Sequence, residues 1–152
     1  MTKFLVFHLV VVISVLQVES GVDCPDGFEV HQGACYFFSH GVETWTGAYA
    51  SCEILGGHLA EVNDVIEGKY LSGRVTALGE EFWIGLEDKA VEGEWMWASS
   101  RTMLEPDAYT NWGPNEPNGV SSENCVFYHP SSNSYWADAA CTRAQKYICE
   151  KM

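Results

Sequence analysis

The sequence predicts an α+β domain with a largely antiparallel sheet. Two segments with helical spacing of apolar residues come early, and most short aromatic and β-branched runs come after them. The two classes do not alternate, as the strands and helices of a parallel sheet would. Six cysteines lie downstream of an apolar leader, so the domain is expected to carry disulfides.

The leader comes first. Lys3 precedes an apolar run from Phe4 to Leu16, and small residues at Val18 and Ser20 complete the pattern of a cleaved secretory signal over residues 1–20. The run is shorter than the roughly 20 apolar residues that span a bilayer. Residues 21–152 then form one domain, since about 130 residues leave no room for a second core.

Trp45, Ala48, Tyr49, Cys52 and Leu55 share one side of a helix expected over residues 44–55, with Gly56 and Gly57 as its stop. A second helix is expected over residues 63–78. Asn63 is its candidate cap, Asp64 and Glu67 suit the positive end of its dipole, and Ile66, Tyr70, Leu71 and Val75 form its apolar side. Gly68 and Gly73 weaken it.

Strands are expected at "ACYFF" (34–38), "FWIGL" (82–86), "WMW" (95–97), "CVFY" (125–128) and "KYIC" (146–149). In "FWIGL" the side chains of Phe82, Trp83, Ile84 and Leu86 are large enough to bury both faces of a central strand. Trp95 and Trp97 are read as core for the same reason. His58 is placed at a strand start.

The formal charge is −13 at pH 7, which disfavours nucleic acid because phosphate binding relies on Lys and Arg. An acidic surface is compatible with divalent cations. No GxSxG or HExxH motif is present, and His31, His40, His58 and His129 are neither clustered nor at metal-ligand spacing, so no enzyme is expected. Collagen-like and heptad segments are also missing, so any oligomer has to form through the domain surface.

One stretch has no helical or strand period: "NWGPNEPNGVSSENC", residues 111–125. Pro, Gly and Asn suit turns, yet Glu116, Asn118 and Glu123 also offer hard oxygens within eight residues, the donor type that calcium takes in sets of about six to eight.

With "CPDGFEVHQGACYFF", "FWIGL", "EGEWMW", "NWGPNEPN", "ENCV", "YWADAAC" and "YICE" in this order, the chain from Cys24 to Glu150 resembles a C-type lectin domain of the long form. The resemblance implies a double-loop fold in which two helices flank small antiparallel sheets. It also implies the pairs Cys24–Cys35, Cys52–Cys149 and Cys125–Cys141, where the sequence by itself leaves 15 pairings open.

Calcium is the implied cofactor. Its ligands, and those of the sugar, would be Glu116, Asn118, Glu123 and Asp138, with Pro117 cis between the first two. "EPN" goes with mannose-type sugars (mannose, N-acetylglucosamine, fucose), whereas "QPD" goes with galactose. An auxiliary calcium site would use Asp88, Glu92, Glu123 and Asn124, with Gly119 where Asp is frequent. One residue departs from the pattern: Trp136-Ala137-Asp138 stands where Trp-Asn-Asp is usual, removing an amide ligand. The side chains left, the Asp138 carbonyl and two sugar hydroxyls still reach about seven ligands.

The implied function is a secreted lectin recognising microbial surface glycans in innate immunity. The alternative is a domain of the same fold that binds protein or mineral surfaces without sugar.

Overall fold

The computed structural model describes residues 21–119 and 121–152; the expected signal segment, residues 1–20, lies outside them. In chain order the elements are β1 (Glu29–His31), β2 (Ala34–Phe38), α1 (Trp45–Ile54), β3 (His58–Leu59), α2 (Val65–Leu78), β4 (Phe82–Glu87), β5 (Met96–Trp97), β6 (Thr102–Met103), β7 (Cys125–His129), β8 (Tyr135–Ala139) and β9 (Lys146–Lys151). The main path of the sheet runs β1-β2-β9-β4-β5-β6, with β3 on β9 and β7 bridging β4 and β8. Every pairing is antiparallel except β4 with β9. The α+β expectation and all five expected strands are present.

Both helices form, each with a cap. Thr44 caps α1 by accepting from Gly47 N at 3.2 Å, and Trp45, Ala48 and Cys52 are its buried residues. The second helix starts one residue later than expected. Asp64, not Asn63, is its cap, because the Asp64 carboxylate accepts from Ile66 N and Glu67 N at 2.8 and 2.9 Å. Gly79 ends it with φ 68°.

Its apolar side also differs from the expectation. Ile66 is 51% exposed while Gly68, Leu71 and Val75 are buried. Gly68 lies against the Tyr109 hydroxyl, where a Cβ would collide, so the helix turns this glycine inward.

The helices cover opposite faces of the sheet. Leu71 and Val75 of α2 join Phe82, Ile84, Leu86 and Trp136 in one buried cluster; Trp45 and Ala48 of α1 join Trp83 and Phe127 in the other. Alternation along β4 therefore feeds both layers. Gly85 interrupts it because a Cβ there would come within 2.9 Å of the Leu59 carbonyl oxygen. Trp95 and Trp97 are buried as expected.

Three disulfides join Cys24 to Cys35, Cys52 to Cys149 and Cys125 to Cys141. The second ties α1 to β9 across 97 residues of chain.

A group of carboxylates is buried at β9. Glu150, 5% exposed, accepts from Glu61 N at 3.1 Å. The Glu61 carboxylate in turn accepts from Ser99 N and Ser100 N at 3.0 and 2.8 Å. Burial pushes the Glu150 carboxyl up to about 7; the Glu61 N–H and His58 oppose this, and the charges of Glu67 and Glu61 reinforce it.

The folded state thus holds the Glu150 proton more tightly than the unfolded chain does. Its contribution to stability is full below about pH 4.5 and is lost as pH rises toward 7. Glu150→Gln is expected to flatten that part of the stability-against-pH curve, measured by denaturant unfolding from pH 4 to 8. An unchanged slope would contradict the assignment.

Candidate functional site

The loop of residues 111–125 is fastened along β8. Trp136 N donates to Asn111 O at 2.7 Å and Gly113 N donates to Trp136 O at 2.9 Å, forming a parallel bridge between Trp112 and Trp136. Trp136 is fully buried and meets the rings of Trp97, Trp112 and Tyr109 edge-on, at centroid distances of 5.8, 5.7 and 5.9 Å. This aromatic packing holds the base of the loop beside the strand that carries Asp138.

Two residues along β8, Asp138 reaches the middle of the loop. Its two carboxylate oxygens accept from Asn118 N at 3.1 Å and Gly119 N at 2.7 Å. A Cβ at residue 119 would run into the same carboxylate, so this close approach requires glycine where the family pattern frequently has Asp. The Glu116–Pro117 peptide bond is cis, as the resemblance implies. Asn118 Nδ2 donates to Glu116 Oε1 at 3.1 Å.

Glu116, Asn118 and Asp138 therefore come together from two distant segments. The Glu116 carboxyl is raised, first by desolvation and then by the neighbouring Asp138 carboxylate. Its other oxygen, Oε2, is buried without a hydrogen-bond partner. A buried acceptor left unpaired beside a like charge is costly, and a cation removes both costs at once.

Glu123 is placed differently. Its backbone carbonyl lies by Gly119 and its side chain is half-buried. Among the described residues no three His, Cys, Asp or Glu side chains converge on one point. The expected four-residue set is thus drawn together as Glu116, Asn118 and Asp138, with Glu123 beside them through its main chain.

The expected auxiliary set lies next to it. Asp88, 2% exposed, follows directly on β4; its Oδ2 accepts from Gly93 N at 2.8 Å and its Oδ1 has no partner. Burial raises its carboxyl against the lowering by Gly93, and the charges of Asp138 and Glu87 add to the rise. Asn124 Oδ1 is a second unpaired buried oxygen, and Asp88 N donates to Asn124 O at 3.1 Å. Glu92 is exposed, with its carboxyl raised by desolvation and by Asp88 and Asp138.

Three orphaned oxygens, Glu116 Oε2, Asp88 Oδ1 and Asn124 Oδ1, thus lie on carboxylates and an amide. That donor chemistry fits a hard cation such as calcium.

Ala137 is 6% exposed, pairs across the strands with Phe127, and belongs to the cluster of Trp83 and Phe127. The position the resemblance assigns to a ligating amide is here filled by a core methyl. The backbone anchoring by Asp138 gives no sequence signal, because its partners are main-chain N–H groups 19 and 20 residues away.

Comparison with known proteins agrees with this geometry. The model of the lectin C-type domain matches residues 42–151. Perlucin of Haliotis laevigata is 35% identical over 132 residues, covering 84% of this chain and 83% of that protein. Among solved structures, a calcium-independent type II antifreeze protein superposes with a TM-score of 0.77 at 30% identity, covering 88% of this chain and 97% of its own. The C-type lectin domain of murine dendritic cell inhibitory receptor 2, solved with an N-glycan, gives 0.76 at 25% identity, covering 85% and 98%. With the cysteine pairing, the two flanking helices and the cis-proline loop all in place, the chain belongs to the C-type lectin domain family.

Proposed function

We propose that this protein is a secreted, calcium-dependent carbohydrate-binding lectin with mannose-type preference, acting on microbial surface glycans in innate defence. The observation that carries the reading is the meeting of Glu116, Asn118 and Asp138 around the unpaired Glu116 Oε2. The family is generally non-enzymatic and generally binds calcium, and the N-glycan complex of a structural neighbour supports a glycan as the ligand class. Three disulfides support an oxidising compartment. No helix of the described residues is long and apolar enough to cross a membrane.

Glu116, Asn118, Glu123 and Asp138 would hold the ion; Asp88, Glu92 and Asn124, with Glu123, would hold a second. Bound calcium supplies a positive centre that accepts two vicinal sugar hydroxyls. The carboxylates would accept hydrogen bonds from the sugar hydroxyls, and the Asn118 amide would donate to a hydroxyl oxygen while offering its carbonyl to the ion. The "EPN" order of these groups supports the mannose-type arrangement. One sugar per domain binds weakly, so avidity would come from several copies.

The deciding experiment is a calorimetric calcium titration with and without mannose, together with retention on mannose resin before and after chelator. Calcium-dependent retention is expected, and failure to bind any glycan in the presence of calcium would overturn the proposal. Ala137→Asn is expected to raise calcium affinity by adding an oxygen beside Asp138. It should also lower the melting temperature in chelator, because the amide displaces a methyl packed on Phe127. Unchanged calcium affinity would exclude residue 137 from the ligand shell.

A second reading, binding of a protein or mineral surface without sugar, is favoured by one observation. Both Asp138 oxygens already hold loop amides, so the loop has an anchor that needs no ion. The structural neighbour named calcium-independent supports it. Calcium-indifferent binding of the ligand would decide for this reading.

A further inference from the structure

A cleft of about 290 Å³ opens between α1 and the hairpin formed by β5 and β6; its lining includes Trp45, Tyr49, Glu87, Lys89, Met96 and Arg101 and no residue of the loop 111–125. Its volume is close to the lower end of small-ligand sites. Two features separate it from ordinary surface.

The first is charge. The described chain carries seven Lys and Arg residues, of which Arg74, Arg143 and Lys146 are in ion pairs. Of the remaining four, Lys89 and Arg101 both line this one cleft. On a chain of net charge −13, two cations without carboxylate partners in one depression form a local positive site. Glu87, which also lines the cleft, accepts from Lys89 N through its Oε2 at 2.7 Å.

The second is preorganisation. Trp45 and Tyr49 stack at 5.6 Å with 26° between their planes, and Lys89 Nζ stands 4.0 Å from the centre of the Trp45 ring. The Trp45 indole is fixed by donating to Ile84 O at 2.9 Å. The hairpin turn is held by the Glu61 carboxylate on Ser99 N and Ser100 N, and it presents Arg101 from a left-handed backbone at φ 61°. An exposed arginine held at positive φ costs energy that glycine would not.

We propose that this cleft is a second, cation-independent binding site for an acidic sugar residue, a pyranose bearing a carboxylate or sulfate. The anionic group sits between Lys89 and Arg101, and the ring lies against Tyr49 and Met96. Ring hydroxyls bond to Thr46 and the Glu87 carboxylate, both of which line the cleft. An aromatic acid matches the cations and the apolar wall but leaves the buried Glu87 carboxylate facing a ring with no donors, which disfavours it.

The test is a titration of the whole protein in EDTA with D-glucuronate, followed by calorimetry and by the amide and indole NMR signals, including Trp45 Nε1–H. Glucose and benzoate serve as comparison ligands. Saturable glucuronate binding that shifts Trp45 and weakens with salt is expected, with glucose and benzoate each weaker by at least about tenfold.

Arg101→Gly suits the left-handed backbone, and Lys89→Met keeps the stem over Trp45, so both variants should retain the wild-type melting temperature. Together they should weaken glucuronate at least about tenfold. Absence of saturable glucuronate binding, equal binding of glucose or benzoate, or full binding by the double variant would each overturn the site. Because the titration is done in EDTA, its outcome is independent of the calcium site and of the proposed mannose binding.

Discussion

Asp138→Ala is expected to abolish calcium-dependent retention on mannose and to destabilise the calcium-free domain as well. Two effects combine in one side chain. As a proposed ligand, Asp138 supplies charge to the ion beside Glu116; its loss should weaken calcium at least about tenfold, equivalent to about 1.4 kcal/mol or more. As an anchor, it accepts from Asn118 N and Gly119 N, which lose their charged acceptor. Hydrogen bonds to charged groups contribute about 1.5–3 kcal/mol each, and these are partly buried, so a loss of about 2–4 kcal/mol is expected in chelator.

Asp138→Asn separates the two effects. Its carbonyl can still accept one loop amide, though without charge, so part of the chelator stability should survive while calcium binding falls. Thermal melts with EDTA and with calcium, run on both variants, give the answer. If Asp138→Ala melts like the wild type in EDTA, the anchoring role is wrong. If both variants keep wild-type calcium affinity, the ligand role is wrong.

Replacing Cys52 and Cys149 by Ala is expected to give the largest loss of stability among the disulfides. The bridge closes 97 residues of chain, against 16 for Cys125–Cys141 and 11 for Cys24–Cys35. Chain entropy assigns roughly 4–5 kcal/mol to the long loop and about 3 kcal/mol to a loop near 15 residues. Cys52 and Cys149 are also fully buried in the cluster around Trp45 and Trp83, so the change loosens packing between α1 and β9. Denaturant unfolding of three double variants, each lacking one bridge, checks the order. A greater loss from removing Cys125–Cys141 than Cys52–Cys149 would show that local strain or packing outweighs chain entropy here.

Much of the fold was legible because it follows from local patterns. The apolar spacing of Trp45, Ala48 and Cys52 marks α1, and the aromatic runs at 34–38 and 82–86 mark strands that the structure forms. The elements that escaped are the short ones: β1 and β6 have three and two residues, too few for a period, and β3, two residues long, was marked only by its first residue, His58. β8 escaped because its alternation is hidden by alanines at 137 and 139, which are buried yet barely apolar. Asp64 replaced Asn63 as the cap because either residue can cap, and only the register of α2 against the sheet chooses between them.

The candidate site divides along the same line. By itself the sequence determined its chemical content: an oxygen-rich loop, a proline between Glu116 and Asn118, and a cysteine-rich α+β domain with a strongly acidic surface. Those are properties of residue type and near spacing, which need no folded partner. Only the tertiary structure decided that Asp138 closes the loop through main-chain amides and that Ala137 is turned into a core cluster. It also brought Lys89 and Arg101 to one cleft over Trp45. Each of these is a meeting of groups separated by many residues of chain, set by how two sheet faces and two helices pack, and no local pattern carries that distance.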